Sequence, residues 1–113
     1  MDQLTKYRAI VRSKLINYAE RVNQNPDKSI QSHLLFDDEH SHYMVFKTGW
    51  WDIERIRTPT IYVRLHQNKI WIEEDWTEDG IATDLLAAGV PKEDIVLAFH
   101  HPDMRPLTEF AVA

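Results

Sequence analysis

The sequence predicts an α+β fold: an N-terminal amphipathic helix packed on a four-stranded antiparallel meander, followed by a short helix, an extra strand and a docked C-terminal tail. Three observations carry this reading. Apolar residues recur at spacings of three and four up to Val22, switch to a period of two between residues 29 and 74, and return to helical spacing ahead of Gly89 and Pro91. With 113 residues the chain reads as one domain, residues 1–113, large enough for a single hydrophobic core and too small for two.

Leu4, Tyr7, Val11, Leu15, Tyr18 and Val22 define the first helix, which ends before Asn25 and Pro26. In the period-two region Ile30, Ser32, Leu34 and Phe36 mark the first strand, Met44 and Phe46 the second, Ile61, Val63 and Leu65 the third, and Ile70 and Ile72 the fourth. The acidic run Asp37, Asp38, Glu39 suits a hairpin loop, Gly49 and Pro59 punctuate the second connection, and Gln67 and Asn68 suit a tight turn in which Asn tolerates positive φ. Such short connections imply antiparallel neighbours. The D-x-x-E spacing of Asp75 and Glu78 is a helix-capping signal, and Ile81, Ala82, Leu85, Leu86 and Ala88 form a short helix stopped by Gly89. Residues 92–94 suit one further turn, the apolar run 95–99 an extra strand, and the apolar residues 110–113 a docked tail.

Composition narrows function. Hydrophobic residues make up 43% and charged residues 27%, which removes disordered and fibrous classes. No apolar run approaches the roughly 18 residues of a membrane helix, so no membrane association is expected and the default location is cytoplasmic. With no cysteine, disulfides, thiolate metal sites and cysteine nucleophiles are excluded. A net charge of −5 opposes a main role in gripping phosphates. The charge is uneven: Lys6, Arg8, Arg12, Lys14 and Arg21 scatter around the first helix, whereas residues 73–94 hold eight acidic residues against Lys92.

The chemistry-bearing residues point away from catalysis. His33, His40, His42, His100 and His101 lack the helical i, i+4 pair that would make a zinc motif, and consecutive histidines in extended backbone face opposite ways. Glu73, Glu74, Asp75, Glu78 and Asp79 could serve a metal-dependent hydrolase or nuclease-like enzyme, but a polar turn opening a helix accounts for them without chemistry. With three glycines there is little material for a phosphate-cradling loop. No catalytic residue, metal ligand or cofactor is assigned. The tryptophans are more telling: of adjacent Trp50 and Trp51 one should face the core and the other solvent, and Trp71 alternates against Ile70 and Ile72. Exposed rings of this kind anchor protein interfaces, and pairing of two copies is the commonest way to bury them.

The blocks KIWIEEDWTEDGIA (residues 69–82), AAGVPKEDIVLAFHHP (87–102) and TEFAVA (108–113), supported by YRAIV (7–11) and by LLFDDEHSHY (34–43) leading to Gly49 and Trp50, resemble the XisI family, the fdxN element excision controlling factors of cyanobacteria. The resemblance runs nearly end to end. Trp76 and His101 depart from it, standing where many relatives have glycine and proline, and residues 53–60 are less familiar. It implies a non-enzymatic accessory factor that controls site-specific DNA element excision through an XisH-like partner and, indirectly, a recombinase. The family supplies no active site to carry over. Trp51, Trp71, Asp75, Trp76, Thr77, Glu78, His100, His101 and Arg105 are therefore candidates for a partner-binding surface. Direct DNA binding through Arg8 and Arg12 of the first helix is the remaining alternative.

Overall fold

A computed structural model describes residues 2–113. Helix α1 (Gln3–Asn23) opens on Asp2, whose carboxylate accepts the Thr5 N–H at 2.7 Å and satisfies one of the free donors of the first turn. That bond holds the Asp2 carboxyl below its usual pKa. The helix buries Tyr7, Val11, Leu15 and Ala19, a strict i, i+4 row. Tyr18 and Val22 of the predicted stripe are half-buried and Leu4 is exposed.

Strands β1 (Ile30–Asp37), β2 (His42–Trp51), β3 (Glu54–His66) and β4 (Lys69–Asp75) form the expected antiparallel meander. The extra strand β5 (Ile95–Leu97) follows α2 (Ile81–Ala87) and a 3₁₀ turn (Lys92–Asp94), and pairs parallel to β4. The sheet is thus mixed, in the order β1-β2-β3-β4-β5. A parallel return requires a crossover connection, which α2 supplies. Its packing joins Ile81 and Leu85 to a core with Ile61, Val63, Ile70, Ile72 and Ile95.

Two readings of the strands need correction. In β2 the buried side chains are Tyr43 and Val45, with Gly49 also buried, while Met44 and Phe46 lie on the face away from α1. Both faces of β2 carry large apolar residues, so period two alone could not choose between them. Gly49 and Pro59 do not punctuate a connection either; they lie inside β2 and β3, which turn at Asp52 (φ 57°) and Ile53. Pro59 sits beside a register shift opposite Val45 and Phe46, where its missing N–H breaks no regular ladder. Gly49 permits close approach: a Cβ there would stand 2.0 Å from the Ser29 carbonyl oxygen. The other two turns are as predicted, with Asp38 to Ser41 closing the first hairpin and Gln67 and Asn68 both at positive φ closing the third.

The tail is docked. Ala111 bridges Val96 in parallel, its N–H donates to Ile95 at 2.9 Å, and Phe110 packs on the core. Arg105 fastens this segment by donating to the carbonyl oxygens of His100 (3.1 Å), Ala98 (3.3 Å) and Val112 (3.3 Å). Three backbone acceptors suit the fixed fork of a guanidinium.

Candidate functional site

Beyond β4 the chain makes a turn organised by Asp75. One carboxylate oxygen accepts the Thr77 N–H (3.0 Å) and hydroxyl (2.6 Å), and the other accepts the Ile81 N–H at 2.7 Å. The cap of α2 therefore comes from six residues back, not from the predicted D-x-x-E box, and Glu78 takes no part in it. The physical reason is Gly80, whose φ of 82° turns the chain so that the first N–H of the helix points back at Asp75. Thr77 completes the turn by accepting the Gly80 N–H at 3.1 Å.

This rigid turn leaves Trp76 outside. Its backbone N–H donates to the Thr60 carbonyl (2.9 Å), its Nε1–H donates to Glu74 (2.6 Å), and its ring is 74% exposed. Trp51 reaches the same place from the end of β2, 69% exposed. The expectation that one of Trp50 and Trp51 faces the core fails: both are exposed, because β1 pairs with β2 only as far as Gly49 and the two tryptophans lie beyond it. Trp50 instead lies against the Arg55 guanidinium, 5.3 Å from its centroid.

Trp51 and Trp76 flank a cavity of about 290 Å³ that also includes Tyr18, Lys47 and Thr60. A second cleft shares Tyr18, Val22 and Trp76 and is bordered by Arg21, Thr77, Glu78, Asp79 and Asp84. Burial pushes the Tyr18 hydroxyl pKa up, opposed by Arg21 and reinforced by the negative charge of Asp75. At the rim, the Ser29 hydroxyl and N–H hold the Asp27 carboxyl below its usual value. Of the predicted surface residues, Trp51, Asp75, Trp76, Thr77 and Glu78 thus come together, with Asp75 and Thr77 as scaffold. Thr60, Tyr18 and Lys47 were missed; Pro59 is the local sign of the bulge that holds Thr60, while Tyr18 and Lys47 reach the cleft only through the way α1 lies against the sheet.

The other four candidates form a separate group. Trp71 is 9% exposed, contrary to the expectation of an outward ring. It lies on the face away from α1 but is covered by the Arg64 and Arg105 guanidinium groups at 5.1 and 5.7 Å, and its Nε1–H donates to the His66 carbonyl at 3.0 Å. Arg105 is committed to the tail carbonyls, His100 packs against Phe99 at 4.6 Å, and His101 is exposed.

The remaining polar clusters are paired locally. His40 bonds Asp37 (2.8 Å), His42 bonds Tyr62 (2.9 Å) and His33 bonds Thr48 (2.7 Å). Among the described residues no group of three or more His, Asp or Glu is arranged to hold a metal ion. Arg12 forms a double contact with Asp38 at 3.1 Å, and Arg8 donates to the Tyr43 hydroxyl at 2.9 Å. Among the described residues no helix is long and apolar enough to cross a membrane.

Comparison with known proteins places this geometry in context. The family model described as XisI protein matches residues 1–112. The crystal structure of the fdxN element excision controlling factor XisI from Anabaena variabilis is similar with 38% identity, over 99% of this chain and 100% of that one, at a TM-score of 0.86. A XisI-like protein from the same organism is similar with 34% identity, over 97% of this chain and 99% of that one, at a TM-score of 0.88. No curated protein matches.

Proposed function

Because the chain belongs to the XisI family, we propose that it is a non-enzymatic accessory factor in the control of DNA element excision, working in the cytoplasm through protein contacts with an XisH-like partner and, through it, a recombinase. The observation that carries the reading is the likeness, end to end, to a protein named as an excision controlling factor. The site geometry supports a contact role. Its carboxylates are engaged in capping or exposed on the turn, while Trp51 and Trp76 stand out as large rings beside an acidic rim, the kind of surface that anchors an interface. Arg8 and Arg12, the cations of the DNA-binding alternative, are already tied to Tyr43 and Asp38.

A homodimer is part of the proposal. The sheet face away from α1 is uncovered where Leu35, Met44 and Tyr62 line an open groove, and a second copy would bury it. The deciding experiment is co-expression with an XisH-like protein, with affinity capture of either chain. Recovery of both chains together supports the reading. Separate elution, together with metal-dependent turnover of DNA or salt-sensitive duplex binding by this chain alone, refutes it.

A further inference from the structure

The sheet has two outer edges, and only one of them is closed. Outside β5 the tail does this, with Ala111 bridging Val96 and donating to the Ile95 carbonyl. Outside β1 a single point is closed. There Asn23, at the end of α1, stands in for a neighbouring strand: its Nδ2 donates to the Ser32 carbonyl and its Oδ1 accepts the Ser32 N–H, both at 2.9 Å. Alternate residues of an antiparallel edge strand turn both backbone groups outward. Leu34 and Phe36 therefore present theirs on the same side as Ser32, with no partner among the described residues. Beyond Phe36, Asp37 pairs back to His42 and the hairpin turn begins. The space alongside is open, with one cleft bordered by Ala19, Glu20 and Leu34 and another by Leu35 and Met44. The strand Ile30–Asp37 also lacks the usual guards of a bare edge: it contains no Pro, Lys or Arg, and its register with β2 has no bulge. Leu34 and Leu35 are instead 39% and 53% exposed.

We propose that β1 pairs antiparallel with β1 of a second copy, with Leu35 on the twofold axis, so that the two five-stranded sheets run on as one. This names the surface of the homodimer proposed above and rests on that pairing. The free groups themselves select the register. With Leu35 on the axis, Leu34 exchanges both bonds with Phe36 of the second copy, Phe36 does the same with Leu34, and no free group is left over. A shift toward the N-terminus sets Leu34 or Phe36 against Ser32, which Asn23 already occupies. A shift toward the C-terminus runs into the turn. The side chains agree with this register: Leu35 meets Leu35 on the face away from α1, Leu34 stands beside Phe36 on the other, and His33 comes opposite Asp37 with no like charges facing each other. A flexible peptide offering the same bonds would lose chain entropy on binding, whereas a second β1 is already held extended by β2.

The test combines mass and amide exchange on the full chain. Light scattering at about 50 µM should give twice the mass of one chain. The Leu34 and Phe36 N–H groups should exchange about tenfold or more slowly than in Leu35→Lys, in which two cations would face each other across the axis. Leu35 is 53% exposed, so Leu35→Lys and Leu35→Glu should each remain folded, melt cooperatively and have the mass of one chain. Their equimolar mixture should recover the double mass, because residue 35 faces residue 35. A parent dimer whose Leu34 and Phe36 amides exchange as fast as in Leu35→Lys overturns the inference and leaves the homodimer to another surface. Variants that stay dimeric singly, or that fail to combine, overturn it as well. A parent with the mass of one chain sinks the homodimer with it, and closure of the two amides only on adding an XisH-like protein assigns the edge to a foreign strand instead.

Discussion

Replacing Trp71 by alanine is the perturbation that separates a supporting ring from a contact ring. A buried tryptophan removes about 150–250 Å² from water, worth roughly 4–6 kcal/mol at 25 cal/mol per Å² and somewhat less against a compact unfolded chain. The lost contacts with Arg64 and Arg105 and the lost bond to the His66 carbonyl act in the same direction. The structure therefore places Trp71→Ala at about 4 kcal/mol of destabilisation, in the range of measured aromatic-to-alanine changes. For a chain of this size that corresponds to a melting temperature lower by about 15 °C. Trp76→Ala removes a ring that is 74% exposed, so it should cost under about 1 kcal/mol while weakening partner capture. Urea unfolding followed by far-ultraviolet circular dichroism measures both, because that signal does not depend on the deleted fluorophore. A Trp71→Ala protein within about 1 kcal/mol of the parent, or a Trp76→Ala protein that loses more than it, would show that the burial argument is wrong.

Gly49→Ala should be the most damaging single methyl in the sheet: its Cβ would meet backbone atoms of Ser29 and Ile30 at 2.0 to 2.9 Å, so β1 must peel from β2, and expression screening should find no soluble, cooperatively melting protein. Arg105→Ala should free the tail, seen as amide exchange at Ala111 faster by about tenfold or more, with the exchange of Val63 in the core unchanged. Burial and the bond to Asp94 push the Tyr7 hydroxyl up to about 12 from an ordinary 10.0. Because the folded value is the higher one, Tyr7 contributes stability that is fully present below pH 10 and lost as pH rises through 12. Spectrophotometric titration should show Tyr7 ionising only above about pH 11 or together with unfolding.

The parts of the fold that were legible in the sequence are those where a local rule and the tertiary structure agree. The row from Tyr7 to Leu15, the acidic first hairpin loop, the Gln67–Asn68 turn and the Gly89 stop each satisfy a constraint within a few residues of themselves. The misreadings sit where a distant neighbour decides. Met44 and Tyr43 compete for the core face of β2, and only the position of α1 settles which is buried. Gly49 looks like a turn glycine until Ser29 is seen crossing beside it. Trp71 alternates as a solvent-facing residue would, and it is hidden by an arginine 34 positions later in the chain. The candidate surface was half legible: Trp51, Trp76 and the 75–78 turn converge, but Thr60, which joins them in the cavity, owes its place to a bulge whose local sign is Pro59 beside it.

The long β2–β3 hairpin has a consequence for how the protein stays apart from other chains. From Glu54 to Pro59 the far edge of β3 has no strand beside it among the described residues, since β4 joins only at Ile61. Such a row of open donors and acceptors is a template onto which another polypeptide can add a strand. The stretch carries its own deterrents: Arg55 and Arg57 place charge along it, and the backbone of Trp76 closes its inner end by bonding the Thr60 carbonyl. A chance hydrophobic strand adding here would have to draw those two cations out of water.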